Sequence, residues 1–508
     1  MDSQTVLTSS LYAPNLHLFA FHLWRGLTGE PESLAPNSKQ LWKRGDELLE
    51  ALGFEERLHL YGYPENSEEP PGPHVNLNPN KVLKLTGTLP QSDTLITGRV
   101  LTERRFDSYS LTVNLRRPEQ EQGQKTAAVP LSFWRNLNTE KRVFLPDFLE
   151  SSLGQTLLLT AFLPEDHQDQ SAENLQELAR RCLQQVMPSR KLKRLPLCQF
   201  GELFGSPLFE FGGQILDANV AGDAEGQPHV LILLFRGELP SEKFVDSYQE
   251  FIDLFYYRNK VVSAYRETRT LYRKAYESYT DLEKKVKSFK QELTQNTSRL
   301  ALTQAQLEDL KMVLKELAAL DLEYARLLRN YKHCRNTISI NTKNYQVTLA
   351  EILNSLQEQE YEVQAQELEF FREFTRVTAP YFQARIADEI NYFVEGSSLA
   401  DKAIASIRGI VEIEQTQRDR SLQEQNQQLQ DQIQAIGMGI AVGAIVASTS
   451  TLIFQEPLTF PWQEHHGNDP HPFIIAFLLS FAFAAVAWGG VKLFIWCSAR
   501  GRSGHKTP

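Results

Sequence analysis

The residues best equipped for chemistry lie near the C-terminus, between two long apolar runs. The stretch Trp462-Gln-Glu-His-His-Gly-Asn-Asp-Pro-His-Pro472 gathers Glu464, His465, His466 and Asp469, and Glu456 stands shortly before it. Carboxylates and imidazoles attract and ligate cations, and repeated around a ring of copies they would concentrate them. The spacing matches no fixed ligand pattern, so a solvated polar turn is the plain alternative. At the end of the preceding apolar run, Ser448, Thr449, Ser450 and Thr451 crowd hydroxyls together. These either bond back to their own helix or line a pore mouth, where Ser450 and Thr451 would replace water around an ion. No GxxxxGK[ST], GxSxG or HExxH motif occurs, so no enzyme is expected and no catalytic residue is assigned. His17 and His22 sit on opposite faces of a strand and share no metal. The acidic segment Gly212 to Gly226 fails the calcium-loop pattern, because Ala221 and Pro228 stand where ligands belong.

The apolar runs set where that loop must sit. Ala435 to Phe454 has no charged residue, and Phe473 to Cys497 has one, Lys492, near its end. At about 1.5 Å per residue either run covers a hydrocarbon core ~30 Å thick. Arg418 and Arg420 precede the first run, Arg500, Arg502 and Lys506 follow the second, and the loop between has neither Lys nor Arg. Positive flanks stay inside, so both termini are expected in the cytoplasm of a multi-pass protein of the plasma (inner) membrane. In the first run Ala435, Gly439, Gly443 and Ala447 recur every four residues, and Gly437 and Ala441 form a second small stripe. Small side chains let helices approach closely, so Gly439, Gly443 and Ala447 pack against a neighbouring helix or line a path.

Upstream, from about Pro240 to Gln434, the composition of Glu, Gln, Lys, Arg, Leu and Tyr predicts long helices. The series Leu282, Val286, Phe289, Leu293, Asn296, Leu300, Thr303, Leu307, Leu310, Leu314, Leu317 alternates spacings of four and three, a coiled-coil seam. Asn296 and Thr303 are its polar register positions, and a protein partner on the seam is an expectation. The weakly helical Ser339-Ile-Asn-Thr-Lys-Asn344 is the predicted tip where the chain turns back, with an antiparallel second arm from Tyr345 to Thr378.

The first 238 residues are punctuated by Pro and Gly and predict a mixed α/β domain. Asn15 to Trp24, Leu157 to Leu163 and Val230 to Phe235 read as interior strands. Tyr109, Leu111, Val113 and Leu115 alternate with Ser110, Thr112, Asn114 and Arg116, the pattern of a strand with one wet face. Helices are expected over Ser38 to Leu52 and Ser171 to Met187. A net charge of −10 argues against nucleic-acid binding. The four cysteines are far apart and read as reduced.

The fold class expected is therefore an α+β membrane protein, divided as an α/β cytoplasmic domain (1–238), a long helical hairpin (239–380), a stalk helix (381–434), a first span (435–454), an outer loop (455–472), a second span (473–497) and a basic tail (498–508). This order resembles the CorA family of divalent-cation transporters, and Ile410-Val-Glu-Ile-Glu-Gln-Thr-Gln-Arg-Asp-Arg420 looks like the family's approach to its first span. The resemblance implies a homopentamer in the lipid bilayer, an axial pore lined by the first spans, and gating by divalent cations. The chain departs from the family's Gly-Met-Asn signature, since the outer end of the first span reads Ser450-Thr-Leu-Ile-Phe-Gln-Glu-Pro457 and Gly437-Met438-Gly439 lies at the inner end. Magnesium selectivity is not implied. No resident cofactor is expected, only a divalent cation as transported or regulatory ion, and a non-conducting membrane-anchored scaffold or signalling protein is the alternative function.

Overall fold

The computed structural model describes residues 10–24, 37, 39–60, 74–89, 92–138, 141–192, 195, 197–212, 228–296, 302–358, 368–453 and 472–503. The chain divides into two compact units, one of residues 1–287 with 317–401 and the other of 288–316 with 402–508.

The first unit opens with β1 (Ser10–Leu23), α1 (Gln40–Ala51), β2 (His74–Asn76), β3 (Leu83–Thr88), β4 (Leu95–Arg105) and β5 (Ser108–Arg116). The short β6 (Gln120–Glu121), β7 (Gln124–Lys125) and β8 (Val129–Pro130) precede α2 (Ser132–Leu137) and α3 (Pro146–Leu149). Then come β9 (Gly154–Phe162), α4 (Ala172–Val186), α5 (Ser189–Leu192), β10 (Leu197–Leu203), β11 (Ser206–Phe211), β12 (His229–Phe235) and α6 (Glu238–Asp246). Most strands join one sheet in the order β10-β11-β12-β9-β1-β5-β4-β2, antiparallel except for the β12–β9 pair. The apolar strands β1, β9 and β12 occupy its interior, where both faces must be covered.

One face packs on α1 to α4 through residues such as Leu16, Trp42, Leu111, Trp134 and Leu178. The other carries Phe19, Phe21 and Leu233 and is covered by the start of α7 (Tyr248–Asn296), the end of α8 (Gln304–Glu358) and Phe370 and Phe371. Here the structure corrects the wet face expected of β5. Ser110 and Thr112 are 1% exposed, because α7 lies over them; Tyr256 Oη reaches Ser108 Oγ at 3.3 Å. Alternation reports which residues share a face, not what covers it.

Paired charges fasten α7 to the sheet. Arg105, fully buried, bonds Glu103 and Asp253, and Lys260 Nζ lies 2.6 and 2.7 Å from the two oxygens of Asp107. Glu210 receives Arg258 at 3.0 Å and His229 Nε2 at 2.8 Å. Thr156 Oγ1 is 2.9 Å from His229 Nδ1 and accepts from Asn259 Nδ2 at 3.0 Å, which assigns the Nε2–H tautomer to His229. Burial would raise the Glu210 carboxyl, but the His229 hydrogen bond and the Arg258 charge outweigh it and hold it at about 2. Burial, then Arg258, push His229 down to about 4.

Beyond the sheet, α7, α8 and α10 (Ala379–Ile453) form a bundle. The pairs Tyr265–Phe382, Arg269–Glu389 and Tyr272–Phe393 advance together, so α7 and α10 run parallel. Tyr331 and then, earlier in sequence, Tyr324 meet the advancing α10, so α8 runs the other way. Gly396 is required there, since a Cβ would lie 2.4 Å from Tyr279 Cδ2. Leu368, in the left-handed conformation, precedes α9 (Glu369–Glu373), and one π turn (Phe374–Thr378) leads into α10. Pro380 therefore breaks nothing, because the wider turn just before it accommodates the missing N–H and the ring. Gly396 and Gly409 likewise lie inside α10.

The hairpin differs from expectation. The series from Leu282 to Leu317 is not one helix, because α7 ends at Asn296 and α8 begins at Gln304. Thr303 forms a capping box with Gln306; its backbone N–H donates to Gln306 Oε1 at 2.9 Å and its Oγ1 accepts from the Gln306 N–H at 3.3 Å. The predicted tip at Ser339–Asn344 stays helical, with Asn341 bonding back to Thr337 O and Thr342 to Ile338 O, each at 2.7 Å. In the second unit Arg418 bonds Leu302 O at 2.8 Å and also meets Gln304.

Candidate functional site

The second unit contains the outer part of α10 and α11 (Pro472–Ser503). These are helices long and apolar enough to cross a membrane. Ala435, Gly439 and Gly443 are buried at four-residue spacing. A Cβ added at Gly443 would lie 3.1 Å from Ala484 Cβ, and one at Gly439 would lie 3.3 Å from both Ala484 O and Trp488 Cβ. The glycines therefore serve the close approach of α11. Ala447 is exposed, and a Cβ on Gly437 would meet nothing within 4 Å. Ser448 Oγ and Thr449 Oγ1 bond back to Ile445 O at 3.0 and 2.7 Å.

Large apolar side chains point outward all round the pair, including Met438, Ile440, Ile445, Phe481, Val486 and Phe494, the last 74% exposed. The Lys492 ammonium lies 4.6 Å from the Trp488 ring centre. Ser450 and Thr451 fall within α10, but their side chains, like that of Asn296, lie outside the described residues. So does the whole loop with Glu456, Glu464, His465, His466 and Asp469. Among the described residues no group of three or more His, Cys, Asp or Glu side chains is placed to hold a metal ion. Cys182 and Cys334 are buried free thiols.

A second site, unannounced by any motif, lies in the α/β domain. Register places Arg99 opposite Asn114 and Asn114 opposite His17, with Arg116 opposite Asn15 and Asn15 opposite Thr160 in the next row. These side chains share the sheet face that α7 covers elsewhere, and beyond the N-terminal end of α7 they open into a cavity of about 270 Å³. Phe162, Phe235 and Phe244 form its apolar wall.

His17, 3% exposed, is the polar floor. Its Nδ1 lies 3.0 Å from both Tyr248 Oη and Asn114 Nδ2, and its Nε2 lies 3.5 Å from Thr160 Oγ1. Two donors aimed at Nδ1 place the proton on Nε2. Burial and then the Arg116 charge hold this imidazole at about 3, so it is neutral. Burial also raises the Tyr248 hydroxyl, against the Arg99 charge. Arg117 lines the cavity but is taken by Glu121 at 2.8 Å and Leu95 O at 3.2 Å. Arg99, exposed, and Arg116, half-buried, have no carboxylate partner among the described residues. Sequence reading found the alternation of Asn114 and Arg116 but could not pair it with Arg99 and His17, which only register brings together.

No model of a known protein family matches the chain, and no curated protein sequence matches it. Among solved structures it aligns with the structure of the full-length CmaX protein at 15% identity, over 67% of this chain and 89% of that one, with a TM-score of 0.18.

Proposed function

We propose that this chain is a CorA-like membrane protein that conducts or senses cations as a ring of identical copies, with both termini in the cytoplasm. The observation that carries this reading is the glycine-apposed pair of apolar helices. Its large side chains face outward, a surface that lipid solvates and water does not. With Gly439 and Gly443 occupied by α11, the small outward positions Gly437 and Ala441 are the surface on which first spans of neighbouring copies close around an axis. Hydroxyls and the outer acids Glu456, Glu464 and Asp469 then line and charge the mouth. Divalent cations are the cargo or the regulator.

The test is the oligomeric mass of the detergent-purified protein by native mass spectrometry, followed by cation flux into liposomes. A closed ring with flux that falls when Glu456, Glu464 and Asp469 become amides supports the reading. A monomer or dimer, or a ring impermeable to every cation and blind to cation binding, replaces it with the non-conducting scaffold.

A further inference from the structure

We propose that the cavity between Arg99 and Arg116 is a binding site for a small organic oxyanion, a molecule with one carboxylate or phosphate group and an apolar body. The register makes these arginines diagonal neighbours on adjacent strands, since Arg99 faces Asn114 and Arg116 faces Thr97. Diagonal neighbours stand about 7–8 Å apart, within reach of one another's long side chains. Like charges so placed repel unless an anion bridges them, and planar guanidiniums bridge oxyacids through paired N–H donors. Elsewhere in this domain several buried or half-buried cations are matched by an acid, as Arg105 by Glu103 and Asp253, Arg258 by Glu210, and Arg117 by Glu121. Arg99 and Arg116 make no ion pair with an acid among the described residues, although Glu119 also lines the cavity.

The rest of the cavity fits the other end of such a molecule. Phe162, Phe235 and Phe244 offer an apolar surface, and the Phe244 ring stands edge-on to His17 at 5.5 Å. The floor is polar but uncharged, because His17 is neutral and spends its Nδ1 on Tyr248 and Asn114. The volume of about 270 Å³ sits just under the usual range for ligand pockets of about 300–1,000 Å³. Size limits the occupant to a small molecule. The surroundings exclude a long polyanion. Glu119 lines both this cavity and an adjoining depression with Glu238, Glu242 and Asp246, so no continuous basic track leads away from the two arginines. The site is independent of the membrane reading, and failure of either leaves the other standing.

The experiment is isothermal titration of the full-length protein in detergent with phenyl phosphate and with benzoate, and with benzyl alcohol as the uncharged control. Saturable binding of at least one oxyanion is expected, with none of the alcohol. Arg99→Gln and Arg116→Gln should each weaken it at least tenfold, Arg116→Lys less so, and Arg180→Gln, on the exposed side of α4, not at all. Arg99 is exposed, so its variant folds, and amide exchange over β4 and β5 checks Arg116→Gln. Absence of saturable binding by both oxyanions overturns the proposal, as does equal affinity in the folded arginine variants.

Discussion

The same helix, α10, packs by two different chemistries. Between Ala379 and Gly396 it meets α7 and α8 through stacked rings and a buried polar cluster, in which Glu389 accepts from Arg269 at 2.7 Å, from Arg385 at 3.2 Å and from Tyr331. At Gly439 and Gly443 it meets α11 where side chains are missing, close to Ala484 and Trp488. In water, burying large rings is itself the driving force, and a paired charge fixes which rings meet. Where the surroundings are as apolar as the helices, ring burial contributes little, and close backbone approach supplies the dispersion contacts instead. The two stretches of α10 thus pack by different means, rings and paired charge in one and close backbone approach in the other.

That contrast can be broken at either end. The largest effect is expected from Glu389→Ala, which strands Arg269 without its acid and should cost about 3 kcal/mol of local stability. Amide exchange over residues 379–401 of the full-length protein would show it, and unchanged protection would remove the cluster from the account. Gly396→Ala should follow at about 2 kcal/mol, because its Cβ collides with the Tyr279 ring. Tyr279→Ala should recover part of that loss in the double variant, since the two changes share one contact.

Acid should come next, acting first on the α/β domain. His17 and His229 are held neutral, at about 3 and about 4, below an ordinary 6.5. As pH falls through 6.5 the unfolded chain takes up protons that the folded one refuses, so stability declines. Between pH 7 and 5.5 the expected loss is about 1 kcal/mol for each histidine, read from urea midpoints by near-ultraviolet dichroism. Glu210, held at about 2 against an ordinary 4.5, adds its loss only below pH 4.5. The smallest effect, about 1 kcal/mol, is expected for Gly443→Leu, which separates α10 from α11. Reduced disulfide trapping between cysteines placed at Ala447 and Phe477 would register it, with the bundle's exchange unchanged.

Part of this contrast is legible without coordinates. The uncharged run from Ala435 and its glycine repeat stand out because they are compositional, as do the apolar interior strands. The hairpin does not, because Leu282 through Leu317 keeps its four–three phase unbroken, and only the cap at Thr303 marks the start of α8. In the sequence the polar stretch Ser339–Asn344 reads as the tip. Asn341 and Thr342 instead satisfy their side chains on their own helix. The arginine cavity was hidden for a different reason. Its sheet polar residues come from β1, β4, β5 and β9, with Tyr248 added from α7, and register across a sheet is not written in any one strand.

The π turn at Phe374–Thr378 has a bearing on how this chain tolerates change. It houses one residue more than an α-helical turn and absorbs it locally, so the faces presented after it stay in phase with those before. Losing one residue there would return the helix to regular winding and leave Phe382, Glu389, Phe393 and Gly396 on their present bearing. The same loss a few residues later would turn part of that set by about 100° and point it at nothing. The turn is thus the chain's slack, a place beside the bundle where its length can change by a residue without changing its aim.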